Sequence, residues 1–283
     1  MKKEIKEIIT INGEKIYRIT CLNERWYAKP SNDKKTGNPV YEYLPSSTWI
    51  AGYYPKGIGF MKWLASKGWD EAEALKIAAG DKGSKVHYAC GDIDAGKEIK
   101  ITDKYVNPET GEAEELKTEE IDCINSYSDY LEENKPELLA NELTAFGEFW
   151  GGTLDKIFRV EGQIWVVDLK TGKQIWEEQK LQISSYSHAD IDYKELGITD
   201  EEWKNRKLAT LQLGYDKYRI EGKSHYKFTE IEDKFDLFET VAYRIWKNEN
   251  PNTKPKERDY PLVIKSDFRI SQLKKVKVKT IKK

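Results

Sequence analysis

Sulfur and histidine are scarce in this chain: three cysteines, two methionines and three histidines among 283 residues. Cys21, Cys90 and Cys123 lie far apart, and none pair at the short spacing of a zinc site. Three isolated thiols make no disulfide framework and fit a reducing interior. A long apolar run is missing, and so is the pattern of a secretory signal. The expectation is a cytoplasmic chain with no membrane partner, in the host-cell interior if it is viral. A strong excess of one charge is also missing, since the formal net charge is −2 although 34% of residues are charged. Bulk charge therefore does not point to nucleic acid, but a basic groove can coexist with acidic flanks. No internal repeat is seen.

What is present is enough chain to bury a large core, as one domain or as one with an extra lobe. Residues 3–30 alternate as a hairpin does around Asn12-Gly13, a strong turn pair. Asn32 to Asn38 is a polar loop. Residues 60–69, 70–79 and 82–95 read as helices, the second opened by Asp70. Residues 100–120 are acidic and loop-like, and 122–133 are helical. Strands are expected at 207–216 and 225–231. A helix over 235–248 would place Phe238, Val241, Ala242 and Ile245 on one face. The division this suggests is an N-terminal hairpin and helical region over 1–135 and a core with a basic tail over 136–283. That tail, Lys274 to Lys283, is either a phosphate-binding segment or a solvated one. Trp150 and Trp176 are candidate platforms for unpaired bases.

Charged residues concentrate in one apolar stretch. Thr153 to Val160 and Gln163 to Lys170 read as strands joined by Glu161-Gly162. Counting outward from a two-residue turn pairs Val160 with Gln163, Ile157 with Val166, and Asp155 with Asp168. Lys170 lies two residues on, on the same face as Asp168. Two carboxylates facing each other at roughly 4.5–5.5 Å are destabilising. A hard divalent cation would remove the conflict. The plain alternative is a solvated hairpin face with Lys170 neutralising one acid, but Trp165, Val166 and Val167 suggest burial. Further on, Gln182 and Tyr186 are one helical turn apart, and Ile175 shares their stripe.

Taken together, Gly-Thr-Leu-Asp155, then Val-Asp168-Leu-Lys170-Thr-Gly, then Gln182-x-x-x-Tyr186 resemble the PD-(D/E)XK nuclease core. The Gln-x-x-x-Tyr element resembles its RecB-like branch, which includes phage-type exonucleases. Upstream, Leu44 to Ile50 is similar to a segment that opens many phage-type members. Gly83-Ser-Lys-Val-His87 is similar to a helix that supplies a metal-binding histidine. Glu142 resembles the acid that precedes the hairpin, with Glu148 as its competitor. The likeness covers roughly residues 44–250.

The resemblance implies an α/β, restriction-endonuclease-like fold, with a central mixed sheet flanked by helices and N-terminal helical and hairpin additions. It implies Mg²⁺ or Mn²⁺ held by His87, Asp155, Asp168 and the main-chain carbonyl of Leu169. Asp155, Asp168, Lys170 and Glu142 are then the catalytic set, with Lys170 holding the attacking water or stabilising the phosphorane-like state. Gln182, Tyr186, Lys173 and Lys180 are the substrate-binding candidates; Lys85 is a further lysine near the site. Some relatives carry an iron–sulfur cluster on four cysteines, but this chain has three and none after Cys123, so no cluster is expected. The expected activity is exonucleolytic hydrolysis of linear single- or double-stranded DNA in phage recombination or DNA processing. A phage single-strand-binding or annealing protein is the candidate partner. The alternatives are a structure-dependent or restriction-like endonuclease and a non-catalytic DNA-binding module.

Overall fold

The computed structural model describes residues 4–255, apart from 11–12, 22–23, 34, 109 and 221–222. The basic run Lys274 to Lys283 and the turn residue Asn12 therefore lie outside the described residues.

The N-terminal region holds more strand than a hairpin. β1 (Glu4–Ile9), β2 (Lys15–Cys21), β3 (Glu24–Asn32) and β4 (Pro39–Pro45) form a four-stranded antiparallel meander. The turn around Gly13 and the loop between β3 and β4 fall where the sequence places them. Ser46 then caps α1 (Ser47–Ala51) by accepting from the Trp49 N–H.

α2 (Ile58–Lys67) precedes α3 (Trp69–Asp94), a single helix of 26 residues where two were expected. Gly80 and Gly83 cost it about 1 kcal/mol each relative to alanine. The packing of Val86, Ala89 and Cys90, all fully buried, outweighs that cost. The acidic stretch after α3 is also more ordered than a loop. β5 (Lys104–Val106) pairs with β6 (Ala113–Glu115) ahead of α4 (Thr118–Asn134).

The central sheet has five strands. They are β7 (Glu137–Phe146), β8 (Gly151–Val160), β9 (Gln163–Lys170), β10 (Lys207–Ile220) and β11 (Lys223–Ile231), in the order β11-β10-β9-β8-β7. β9 and β10 are parallel and the other neighbours antiparallel, so the sheet is mixed. α5 (Glu177–Ser187) and α6 (Asp200–Lys204) lie on the crossover between β9 and β10. β9 is central and buried on both faces, which is why Trp165, Val166 and Val167 run together without alternation.

On one face, Val86, Ala89, Tyr127 and Tyr130 of α3 and α4 pack with Phe158, Val167, Leu169 and Leu211. On the other, Ile183 and Tyr186 of α5 pack with Leu154, Ile157, Ile164 and Val166. A third cluster joins Trp26 and Ile50 to Trp150, Phe238 and Trp246. The expected C-terminal helix is interrupted by a π-helical segment, Phe238–Tyr243. The wider turn puts Phe238, Ala242 and Trp246, four apart, on the buried face. Trp246 takes the place expected for Ile245. No helix among the described residues is long and apolar enough to cross a membrane.

Candidate metal centre

Glu161 and Gly162 both adopt positive φ, 48° and 80°, the geometry of a type I′ two-residue turn. The pairs Val160–Gln163, Ile157–Val166 and Lys156–Val167 follow, as counted from the sequence. Past Lys156 the ladder stops, one position short of the expected Asp155–Asp168 pair. The Asp155 carboxylate instead accepts the Leu169 N–H at 2.7 Å.

The two acids diverge, each toward its own cation. Asp155 approaches His87, its Oδ1 3.5 Å from Nδ1. Asp168 pairs with Lys170. The Asp168 Oδ2 atom is buried and receives no well-directed hydrogen bond, so that pair is electrostatic more than directional. Like-charge repulsion is thus relieved here by side-chain cations and a main-chain N–H.

His87 comes from the buried half of α3. Its Nδ1 lies 3.7 Å from Glu142 Oε1, and its Nε2 lies 3.2 Å from the Leu169 carbonyl oxygen. Glu142 reaches this position through a left-handed backbone, φ 50°, in β7 opposite β8. A non-glycine residue in this region carries about 1–2 kcal/mol of strain, and here the irregularity coincides with a side chain aimed into the site. Among the described residues, the His, Cys, Asp and Glu donors close enough to share one ion are those of His87, Glu142 and Asp155, within 4.8 Å of one another. Glu148 is not in the group.

The electrostatics are those of a buried charge cluster. Burial lowers the affinity of His87 for its proton, but Asp155 and Glu142 outweigh it and raise the imidazole to about 10. Burial acts to raise Asp155, yet His87, Lys170 and the Leu169 N–H hold it at about 2. Asp168 is lifted to about 6 by burial and by Asp155, against the pull of Lys170. Lys170 is shifted up because Asp168 and Asp155 outweigh its burial.

α5 forms the wall beside this cluster. Gln182 donates from Nε2 to the Tyr186 hydroxyl at 2.6 Å and to Thr48 Oγ1 at 3.1 Å. Both amide protons are committed, which leaves its carbonyl oxygen as an acceptor. Tyr186 is buried, and burial followed by Asp168 raises its phenol well above the ordinary value. Its ring lies close against β8: a Cβ added at Gly152 would meet Tyr186 Cε1 at 2.5 Å. The glycine of Gly-Thr-Leu-Asp155 is therefore required by the tyrosine of Gln182-x-x-x-Tyr186. Ile175 precedes α5, which begins at Glu177, so it does not share the helical stripe.

The remaining expected residues are placed as follows. Lys180 pairs with Glu177, and Lys173 is exposed in the loop after β9. Lys85 is buried in ion pairs with Glu120, at 2.8 Å, and Glu114. Trp150 is only 2% exposed, inside an aromatic cluster with Phe149, Phe235 and Phe238, so it offers no stacking face. Trp176 is half-buried with its edge toward Phe60. Thr48 was not among the expected residues, although the segment Leu44 to Ile50 was. That segment docks on the motif strands: Ser46 bridges to Gly151, and the Ser47 and Ser185 hydroxyls are hydrogen-bonded.

One imidazole nitrogen and two carboxylates meet at one spot, with a main-chain carbonyl at the other ring nitrogen and a buried acid and a lysine nearby. This oxygen-rich donor set suits Mg²⁺ or Mn²⁺, with the single nitrogen favouring the latter. Compared with known proteins, the chain matches no protein-family model and no curated protein.

Proposed function

We propose that the chain is a metal-dependent deoxyribonuclease with a PD-(D/E)XK core of the RecB-like branch, acting as an exonuclease on linear DNA. The observation that carries this reading is the meeting of His87, Glu142, Asp155 and the Leu169 carbonyl beside the Asp168–Lys170 pair.

His87, Glu142 and Asp155, with the Leu169 carbonyl beside them, would hold Mg²⁺ or Mn²⁺; Asp168, paired with Lys170, lies outside that group of donors. The ion supplies a nucleophilic water and offsets charge on the phosphate. Lys170, kept protonated by the two acids, is a fixed positive charge beside the reacting phosphate, where negative charge grows. Asp168, at about 6, is ionised at neutral pH and available as an acceptor. Tyr186 holds the wall of α5 against β8 and fixes Gln182, whose carbonyl oxygen is left as an acceptor for a bound strand.

A time course on end-labelled linear, closed circular and single-stranded DNA with Mg²⁺ or Mn²⁺ tests the proposal. Loss of the linear substrates with the circle intact supports an exonuclease. Cutting of the circle moves the reading to an endonuclease. Binding without metal-dependent cleavage of any substrate removes the enzymatic reading.

A further inference from the structure

Lys156 adjoins Asp155 on β8, and its ammonium reaches Asp94 of α3 and the Tyr127 ring of α4. It is 1% exposed. Its ammonium forms an ion pair with Asp94, whose side chain is also buried. It donates to Asn141 Oδ1 at 2.7 Å and lies 5.6 Å from the centre of the Tyr127 ring. The Tyr127 hydroxyl donates to the other Asp94 oxygen at 2.7 Å.

The placement of these partners is the informative part. Asp94 lies seven residues after His87 on the same helix, about two turns along the same face. Asn141 precedes Glu142 on β7, and Lys156 follows Asp155 on β8. One buried ammonium thus joins the three elements that carry the three clustered donors, through a residue adjacent to the donor on β7 and β8 and two turns along the helix on α3. A buried lysine is costly unless its partners are fixed. Once they are fixed, α3, β7 and β8 are held in one arrangement.

We infer that Lys156, with Asp94 and Asn141, is a positioning clamp that sets the spacing of His87, Glu142 and Asp155 for a divalent cation. The clamp touches neither the ion nor the substrate. This inference rests on the metal site proposed above.

The test is calorimetric titration of Mn²⁺ into the full chain, with the thermal midpoint of each metal-free variant measured alongside. Replacing both charges at once, Lys156→Met with Asp94→Leu, leaves no buried unpaired charge, and such swaps are often tolerated. The expected result is a near-parental midpoint with Mn²⁺ affinity weakened about 10- to 100-fold, the usual cost of removing groups that orient metal ligands. The control is Lys85→Met with Glu120→Leu, an equally buried pair joining α3 to α4 without touching β7 or β8. It should keep parental affinity. A general loosening of α3 would weaken both variants alike and overturn the clamp, as would parental affinity in the folded Lys156 double variant. Should that variant fail to fold, Asn141→Ala removes the Glu142 arm alone; a several-fold loss of affinity supports the clamp and parental affinity overturns it. If the parent itself takes up no Mn²⁺, the metal site fails, and the clamp with it.

Discussion

His87 carries its charge into the middle of the acidic cluster. Its imidazolium meets Asp155, Glu142 and the Leu169 carbonyl, the oxygens that would surround a metal ion. At the proposed site proton and metal would compete, because a ligating histidine must give up its proton. With His87 raised to about 10, the metal-free protein carries that proton at neutral pH. Titrating Mn²⁺ in buffers of different ionisation enthalpy at about pH 7.5 should show close to one proton released per ion, and clearly less in His87→Ala. Equal release from both would place the exchanging proton elsewhere. The same group links stability to pH. Its folded-state value lies above the ordinary 6.5, so its stabilisation is complete below that value and is lost as pH rises through about 10. Asp155 acts in the opposite sense: held at about 2, it stabilises above 3.8 and loses that contribution as pH falls toward 2. The thermal midpoint of the metal-free protein should therefore fall between pH 7 and 10, and His87→Ala should flatten that slope. A parental slope in the variant would contradict the assignment.

At the scale of elements, the site depends on how closely α5 lies on β8. Gly152→Ala would drive a methyl into the Tyr186 ring, and both are buried. A loss of about 1–3 kcal/mol is expected by denaturant titration, with part recovered when Tyr186→Leu is added. A parental midpoint for the single variant would mean that α5 sits farther out. Much of this arrangement could be read in the sequence. Strand alternation and Glu161-Gly162 located the hairpin and its register as far as Lys156–Val167. The next pair could not be read, because counting residues does not show that Asp155 would turn to a main-chain N–H. Glu142 was nameable by spacing, but its left-handed backbone leaves no mark in composition. The π-helical segment escaped for the same reason, since a 3.6-residue period assumes an unbroken helix. The meander was underestimated because residues 24–45 mix apolar and polar side chains irregularly. Thr48 and the Lys156 network depend on contacts between elements far apart in the chain, which no local pattern encodes.

For the whole molecule, the proposed site would link metal binding to folding. His87, Glu142 and Asp155 come from three elements, so an unfolded chain offers no assembled site. Mn²⁺ at about 100 times its dissociation constant should add about 2.7 kcal/mol of stability to the parent. Asp155→Ala should gain little under the same conditions, and an equal gain would place the ion elsewhere. With a net charge of −2, attraction of the proposed DNA substrate would depend on local lysines and not on overall charge. The central claim, that these residues form a hydrolytic metal centre, is tested most directly by one comparison. End-labelled linear duplex DNA is incubated with Mn²⁺ and either the parent or folded Asp168→Ala. The prediction is cleavage by the parent that disappears on chelation and falls at least about a thousandfold in the variant, the order expected for loss of a main electrostatic contributor. Cleavage by the variant at the parental rate, or none by the parent with either Mn²⁺ or Mg²⁺, would contradict it.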